Sequence, residues 1–221
     1  MTHGAVINFD NSLPTMPRFG DKANLEEMMD DPGARIKHYR YIEALVRNSM
    51  EYRNYVRFLK DEVGLTSCTI LSNISKTTTP DVTIEMHHYP FCLMDIVDAV
   101  FRRRCEENES VSSMAVAGEV VELHYRNLVG LVPLTTTMHE LYHNGKLQID
   151  MRSVFGDVRA FAIAYQRYLP AELAHKLKRY VKASIDGSVQ RANSRLLSVS
   201  PTRVVIGGGT MHKLISTTEE E

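Results

Sequence analysis

The segment Leu131-Val-Pro-Leu-Thr-Thr-Thr-Met-His-Glu-Leu-Tyr-His143 decides how the middle of the chain folds. It passes from a short apolar stretch through three threonines into an amphipathic pattern. Thr137 is followed by Glu140 at the spacing of a capping box, so we predict a short helix that starts at this threonine. Asn144-Gly145 is a typical end signal for such a helix.

Four of the nine histidines form two pairs, His139 with His143 and His87 with His88. Histidines four residues apart on a helix project from one face and can reach a common ion or anion. Adjacent histidines on a strand point in opposite directions, so one could face a metal ion and the other a substrate. This arrangement suits metal-assisted phosphodiester hydrolysis, although a single His-x-x-x-His pair is also common on helices that bind no metal.

The surrounding patterns predict a mixture of strands and helices. Residues 68–74 and 81–86 are rich in β-branched side chains and predict a hairpin with a polar loop between them. Apolar residues at three-to-four spacing predict a helix over 34–63 that ends at Gly64, and two helices within about 92–129. Further helices are predicted after Gly156, up to about Ile185.

Composition excludes several classes of protein. The chain has 221 residues, 43% of them hydrophobic and 24% charged, with a net charge of -1, as in ordinary globular proteins. It contains no apolar run long enough to cross a bilayer and no signal-peptide pattern, so we expect a soluble, cytoplasmic protein that does not enter membranes. The three widely spaced cysteines predict neither a disulfide framework nor a zinc knuckle.

Basic residues are concentrated after the second histidine pair and suggest a path for nucleic acid. An alternative for such residues is an ordinary solvated helix face. The run Arg102-Arg103-Arg104 is a second candidate, although Glu106 and Glu107 would partly neutralise it. The predicted DNA contacts are Arg152, Arg159, Lys176, Lys178 and Arg179.

The two histidine pairs and the intervening Leu131-Val-Pro-Leu134 together resemble the HNH, or His-Me finger, endonucleases, most of all the branch that includes colicin nuclease domains. The resemblance covers about residues 68–146. It implies an α+β protein with an HNH-like ββα-metal core that holds one divalent ion, which could be Mg²⁺, Mn²⁺, Zn²⁺ or Ni²⁺. It also implies that His87 and His139 ligate the ion, that His143 is a further ligand or phosphate contact, and that His88 is the general base.

The resemblance has two departures from the family pattern. Gly130 stands where the family has an asparagine, and Asn127 or His124 could compensate for it. The long separation of His88 from Gly130 implies a helical insertion at about 92–129, between the two strands of the hairpin in the HNH-like core. The implied organisation is an acidic arm (1–33), a helical extension (34–64), the core (65–150), a basic helical extension (151–186) and a tail (187–221).

We therefore predict a metal-dependent DNA endonuclease of a phage type, longer than the compact members of that family. The alternative is an HNH-like scaffold that has lost turnover and serves as a structural protein, or binds nucleic acid or a protein partner. The oligomeric state is left open by the sequence.

Overall fold

The computed structural model describes residues 30–199 and the short strands at 203–206 and 210–213. These residues divide into two compact units. The first, which we call the helical unit, contains 30–58, 91–129 and 156–171. The second, the strand unit, contains 59–90, 130–155 and the described residues from 172 onward.

Helices dominate, and each of the two small sheets has two antiparallel strands, β1 with β2 and β3 with β4. This confirms the α+β class at the coarse level. Within the described residues, no helix combines the length and apolar character needed to cross a bilayer. The elements are α1 (Pro32–Asn48), α2 (Met50–Asp61), β1 (Ile84–His88), α3 (Leu93–Glu106), α4 (Ser113–Tyr125), β2 (Leu131–Thr135), α5 (Thr136–His143), a 3-10 turn (Met151–Ser153), α6 (Val158–Ala164), α7 (Ala171–Ile185), α8 (Ser188–Val199), β3 (Arg203–Ile206) and β4 (Thr210–Lys213).

The single helix predicted over 34–63 is instead two helices that are divided at Ser49. The backbone of Ser49 is extended, its hydroxyl donates to the Val46 carbonyl over 2.8 Å, and the same oxygen accepts from the Tyr52 amide over 3.1 Å. This serine therefore ends α1 and caps α2, which apolar spacing alone does not reveal. Gly64 lies just beyond α2 with a positive φ of 81°, as expected of a helix-terminating glycine.

The core of the helical unit is formed where α1 packs against α3 and α4, and α3 against α4. Ile42, Val46, Val100 and Val120 are fully buried there. Their spacing puts one apolar stripe of each helix toward the others, which is the usual source of stability for amphipathic helices.

The hairpin predicted from 68–74 and 81–86 is not formed. β1 pairs with β2, with Ile84 opposite Thr135 and His88 opposite Leu131. Residues 68–74 form a turn in which the Cys68 amide donates to the Ile74 carbonyl, and both side chains are buried in the core of the strand unit. A β-branched stretch indicates burial, whereas the choice of strand partner depends on register across the whole unit.

Helix α5 follows β2 without a loop. Its N-cap is Thr135, the last strand residue, whose hydroxyl accepts from the Met138 amide over 3.3 Å. The predicted start at Thr137 is thus two residues too late, while the end at Asn144, followed by Gly145 with a φ of 67°, is confirmed.

The predicted polar tail from 187 is ordered as far as it is described. Val189 on α8 is buried, and the Asn193 side chain makes two hydrogen bonds, of 3.1 and 2.8 Å, with the backbone of Gln148. Residues 188–199 therefore form a helix, α8, where the sequence predicted a polar tail and no helix. Most of the predicted acidic arm, residues 1–29, lies outside the described residues, and Pro32 already begins α1.

Candidate metal-binding site

Three histidines from two elements of the strand unit converge. His87 on β1 and His139 and His143 on α5 each bring a ring nitrogen to within 4.8 Å of the others. The ring centroid of His87 lies 4.6 Å from that of His139 and 5.2 Å from that of His143. The Nε2 atoms of His139 and His143 are 2.9 Å apart. We call these residues the histidine cluster.

The cluster results from local geometry combined with strand pairing. The helical repeat places His139 and His143 one turn apart on α5, as the sequence predicts. β2 runs directly into α5 and pairs with β1, so α5 contacts β1 as well as β2. His87 is only 7% exposed, whereas His143 is exposed. The cluster is therefore closed on its strand side and open on its helix side.

Glu85 holds one histidine of the cluster in place. Its Oε2 lies 2.6 Å from His139 Nδ1, and its Oε1 accepts a hydrogen bond from the Thr136 hydroxyl over 3.1 Å. A carboxylate at Nδ1 favours the proton on that nitrogen and leaves Nε2 free to bind a metal ion. Glu85 was missed in the sequence, yet it stands two residues before His87, and strand alternation puts both on one face.

The surroundings of His143 favour neutral imidazole, the form that binds metals. Partial burial, and secondly the neighbouring His139, lower the pKa of His143. The ring of Tyr142 packs edge-on against His87 with centroids 4.7 Å apart, and against Tyr89 at 5.7 Å. These aromatic rings form an apolar wall behind the cluster.

His88, the predicted general base, is not part of the cluster. It is buried opposite Leu131 in the sheet, and alternation along β1 directs it to the opposite face from His87. The backbone carbonyl of Gly130 accepts from the Tyr89 amide over 3.0 Å, which continues the β1–β2 ladder by one bond.

The two residues proposed to compensate for Gly130 lie in the helical unit. His124 is fully buried, with Nδ1 2.7 Å from the Val120 carbonyl. Asn127 has a positive φ of 54°, and its side-chain oxygen accepts from the Tyr55 hydroxyl over 3.2 Å. The structure therefore places both residues in packing and turn roles within that unit.

The residues predicted to contact DNA are divided between the helical unit and the strand unit. Arg159 lies on α6 of the helical unit, whereas Lys176, Lys178 and Arg179 lie on α7. Arg152 is paired with Asp150 over 2.6 Å. DNA binding by these residues stays a prediction.

The arginine run 102–104, the second candidate for a nucleic-acid contact, is neutralised by acidic side chains of the helical unit. Arg102 pairs with Asp98, and both Arg103 and Arg104 pair with Glu119. Glu107, one of the two glutamates considered in the sequence, also pairs with Arg103, which confirms partial neutralisation from beside the run. Glu119 lies well beyond that run, so this further partner could not be read from it. These three arginines therefore do not offer unpaired charge to a polyanion.

The described residues thus define an α+β protein with a cluster of three histidines held between a strand and a helix. The family model for the bacteriophage G278-like virion protein matches residues 11–206, and the chain belongs to that family. No match to the chain was found among curated proteins or among solved structures.

The family match corrects the interpretation drawn from the histidine motifs. The assignment to the HNH endonucleases is wrong, and with it the predicted function as a DNA endonuclease, because the matching family is one of virion proteins. The phage origin that was expected agrees with this family. The error has a physical explanation, since a few histidines at helical and strand spacing can converge wherever a strand packs on a helix.

Proposed function

We propose that the protein is a structural component of a bacteriophage particle and acts by binding neighbouring virion proteins. The observation that carries this proposal is the family match over residues 11–206, which includes residues of both units. The proposal agrees with one part of the alternative raised by the sequence, a structural protein that binds a protein partner. The other part of that alternative, an HNH-like scaffold, is not retained.

Exposed apolar side chains support a role in protein association. Large apolar residues are more than 40% exposed on four helices of the helical unit: Ile36 on α1, Met50 on α2, Met114 on α4 and Ile163 on α6. Burying apolar surface against a partner yields about 25 cal/mol per Å² before the costs of association. Contacts with other virion proteins would use such residues.

The test is whether the chain is an integral part of purified particles. Particles are banded on a density gradient, washed with high salt and nuclease, and analysed by quantitative mass spectrometry. We expect a constant copy number relative to the major capsid protein through every wash. A host protein of similar abundance in the lysate is the control and should be depleted. Loss of the chain in parallel with this host protein would refute the proposal.

A second measurement tests the proposed contacts. Met114→Glu and Ile163→Glu place charge on exposed positions, where they should leave folding intact by circular dichroism. If these surfaces meet partners, incorporation of the variants into particles should fall in a complementation experiment. Glu122→Lys, which alters the charge at another exposed position of α4, serves as the control.

A further inference from the structure

We propose that the histidine cluster binds one Zn²⁺ ion that joins strand β1 to helix α5. The proposal rests on the donors and their geometry and is independent of the virion role. The three ligands would be His87, His139 and His143, with a water molecule as the fourth ligand in the isolated chain.

The donor atoms are close to the positions that zinc requires. Zn–N bonds of about 2.0–2.1 Å in a tetrahedron place ligand nitrogens roughly 3.3 Å apart. The Nε2 atoms of His139 and His143 are 2.9 Å apart, and all three donors lie within 4.8 Å of one another. The proposal requires the rings of His87 and His143 to shift slightly as the ion binds.

The neighbouring carboxylate supports the same conclusion. Glu85 accepts from His139 Nδ1 and, through its other oxygen, from Thr136 on the first turn of α5. A carboxylate behind a ligating histidine orients the ring and raises its basicity. Glu85 is therefore a positioning residue, and His139 presents Nε2 to the ion.

The chemistry of the donors selects the ion. Imidazole nitrogen suits zinc and neighbouring late transition metals, whereas Mg²⁺ and Ca²⁺ prefer oxygen ligands. The cluster consists of nitrogen donors, and the Oε2 atom of Glu85 is already engaged by His139. Zn²⁺ should therefore bind far more tightly than Mg²⁺.

Binding would stabilise the strand unit. Within the part of the chain that the structure describes, the sheet on which α5 packs has two strands, so few backbone hydrogen bonds connect β1 to the rest of this unit. An ion that binds the folded state and not the unfolded state raises the melting temperature by mass action. A metal cross-link between β1 and α5 would thus replace part of the stabilisation that a larger sheet provides.

The experiment uses the full chain without a histidine tag, stripped of metal by a chelator. Titration calorimetry with Zn²⁺ should show one saturable site per chain, and Mg²⁺ should show none. His139→Ala and His143→Ala should each weaken zinc binding at least about tenfold, and Glu85→Gln by about 10–100-fold. His175→Ala is the matched control, since this histidine is exposed on α7 of the same unit and should not affect binding.

A second readout identifies the ligands directly. Co²⁺ in place of Zn²⁺ should give the intense visible absorption of a tetrahedral site, and His143→Ala should abolish it. Because His143 is exposed, this variant should fold normally, which circular dichroism will verify. Absence of a saturable site, or zinc binding that survives the combined His139→Ala and His143→Ala change, would overturn the proposal. Neither result would affect the detection of the chain in particles.

Discussion

Arg103 on α3 and Glu119 on α4 form a two-point ion pair, with Nε to Oε1 at 3.1 Å and Nη2 to Oε2 at 2.8 Å. Arg104 adds a bond of 2.6 Å to the same Oε2, and the Tyr165 hydroxyl donates to Oε1 over 2.7 Å. Burial by itself would raise the pKa of the Glu119 carboxyl, but the hydrogen bonds from Arg103, Tyr165 and Arg104 bring it below its usual value. This carboxylate therefore helps to connect α3, α4 and the residue after α6.

Glu119→Gln should therefore destabilise the helical unit. The amide keeps the shape but removes the less exposed of the two carboxylates that Arg103 and Arg104 share, since Glu109 pairs with both as well. This loss should lower the free energy of unfolding by about 2 kcal/mol. Urea denaturation followed by circular dichroism measures this. Glu122→Gln on the same helix is the control, because its contact with Arg126 is 3.7 Å long and both side chains are more than 60% exposed. It should change stability by less than about 0.5 kcal/mol, and equal effects of the two variants would contradict the prediction.

His124 should make the helical unit less stable in acid. Burial, with a smaller contribution from Arg47, lowers the pKa of His124 to about 4, and its ring lies edge-on to Tyr52 and Tyr55. Between about pH 6.5 and pH 4 the unfolded chain binds a proton at this position that the folded chain does not. The free energy of unfolding should thus fall as the pH falls through this range, by roughly 1 kcal/mol per pH unit.

The measurement for His124 compares two pH profiles of stability. His124→Phe keeps an aromatic ring in the same space and removes the titrating group. Its free energy of unfolding should therefore depend less steeply on pH between about 4 and 6.5 than that of the natural chain. Parallel profiles would show that the folded state accommodates the protonated imidazole.

Gly156 should not tolerate a side chain. Its φ is 105°, and an added Cβ would lie 2.3 Å from the Val129 carbonyl oxygen. Gly156→Ala should cost about 3 kcal/mol or more, because both the backbone conformation and a rigid neighbouring carbonyl oppose it. Gly118→Ala is the control: this glycine lies within α4 and has open space around it, so the change should stabilise by up to about 1 kcal/mol. Thermal unfolding of both variants distinguishes these opposite signs.

Met138 should contribute strongly to the strand unit. It is fully buried on α5 within the apolar cluster that includes Ile84, Val132 and Leu134. Met138→Ala should lower the free energy of unfolding by about 2–5 kcal/mol, since it leaves a cavity. Ile185→Ala, at a side chain that is 80% exposed on α7, should have little effect in the same denaturation assay. A small loss for Met138→Ala would indicate that the core collapses around the gap.

Local features of the fold were predictable from the sequence. The spacing of apolar residues identified the helices between 92 and 129 and the helix that ends at Ile185, and Asn144-Gly145 correctly ended α5. The start of α5 was misplaced because three successive threonines have the same capping chemistry. The end of β2 selects Thr135 among them. The helix α8 was missed because its polar residues, such as Asn193, bond to a distant backbone segment.

The candidate site likewise combines features that are local in the sequence with features that depend on the tertiary structure. The sequence by itself determined that His139 and His143 share a helix face, and that Glu85 and His87 share a strand face, because these periods extend over only a few residues. Only the tertiary structure decided that 68–74 does not pair with β1, and that Glu119 joins the glutamates near the arginine run in neutralising it. Those outcomes depend on burial and register summed over residues far apart in the chain, and no short motif encodes such a sum.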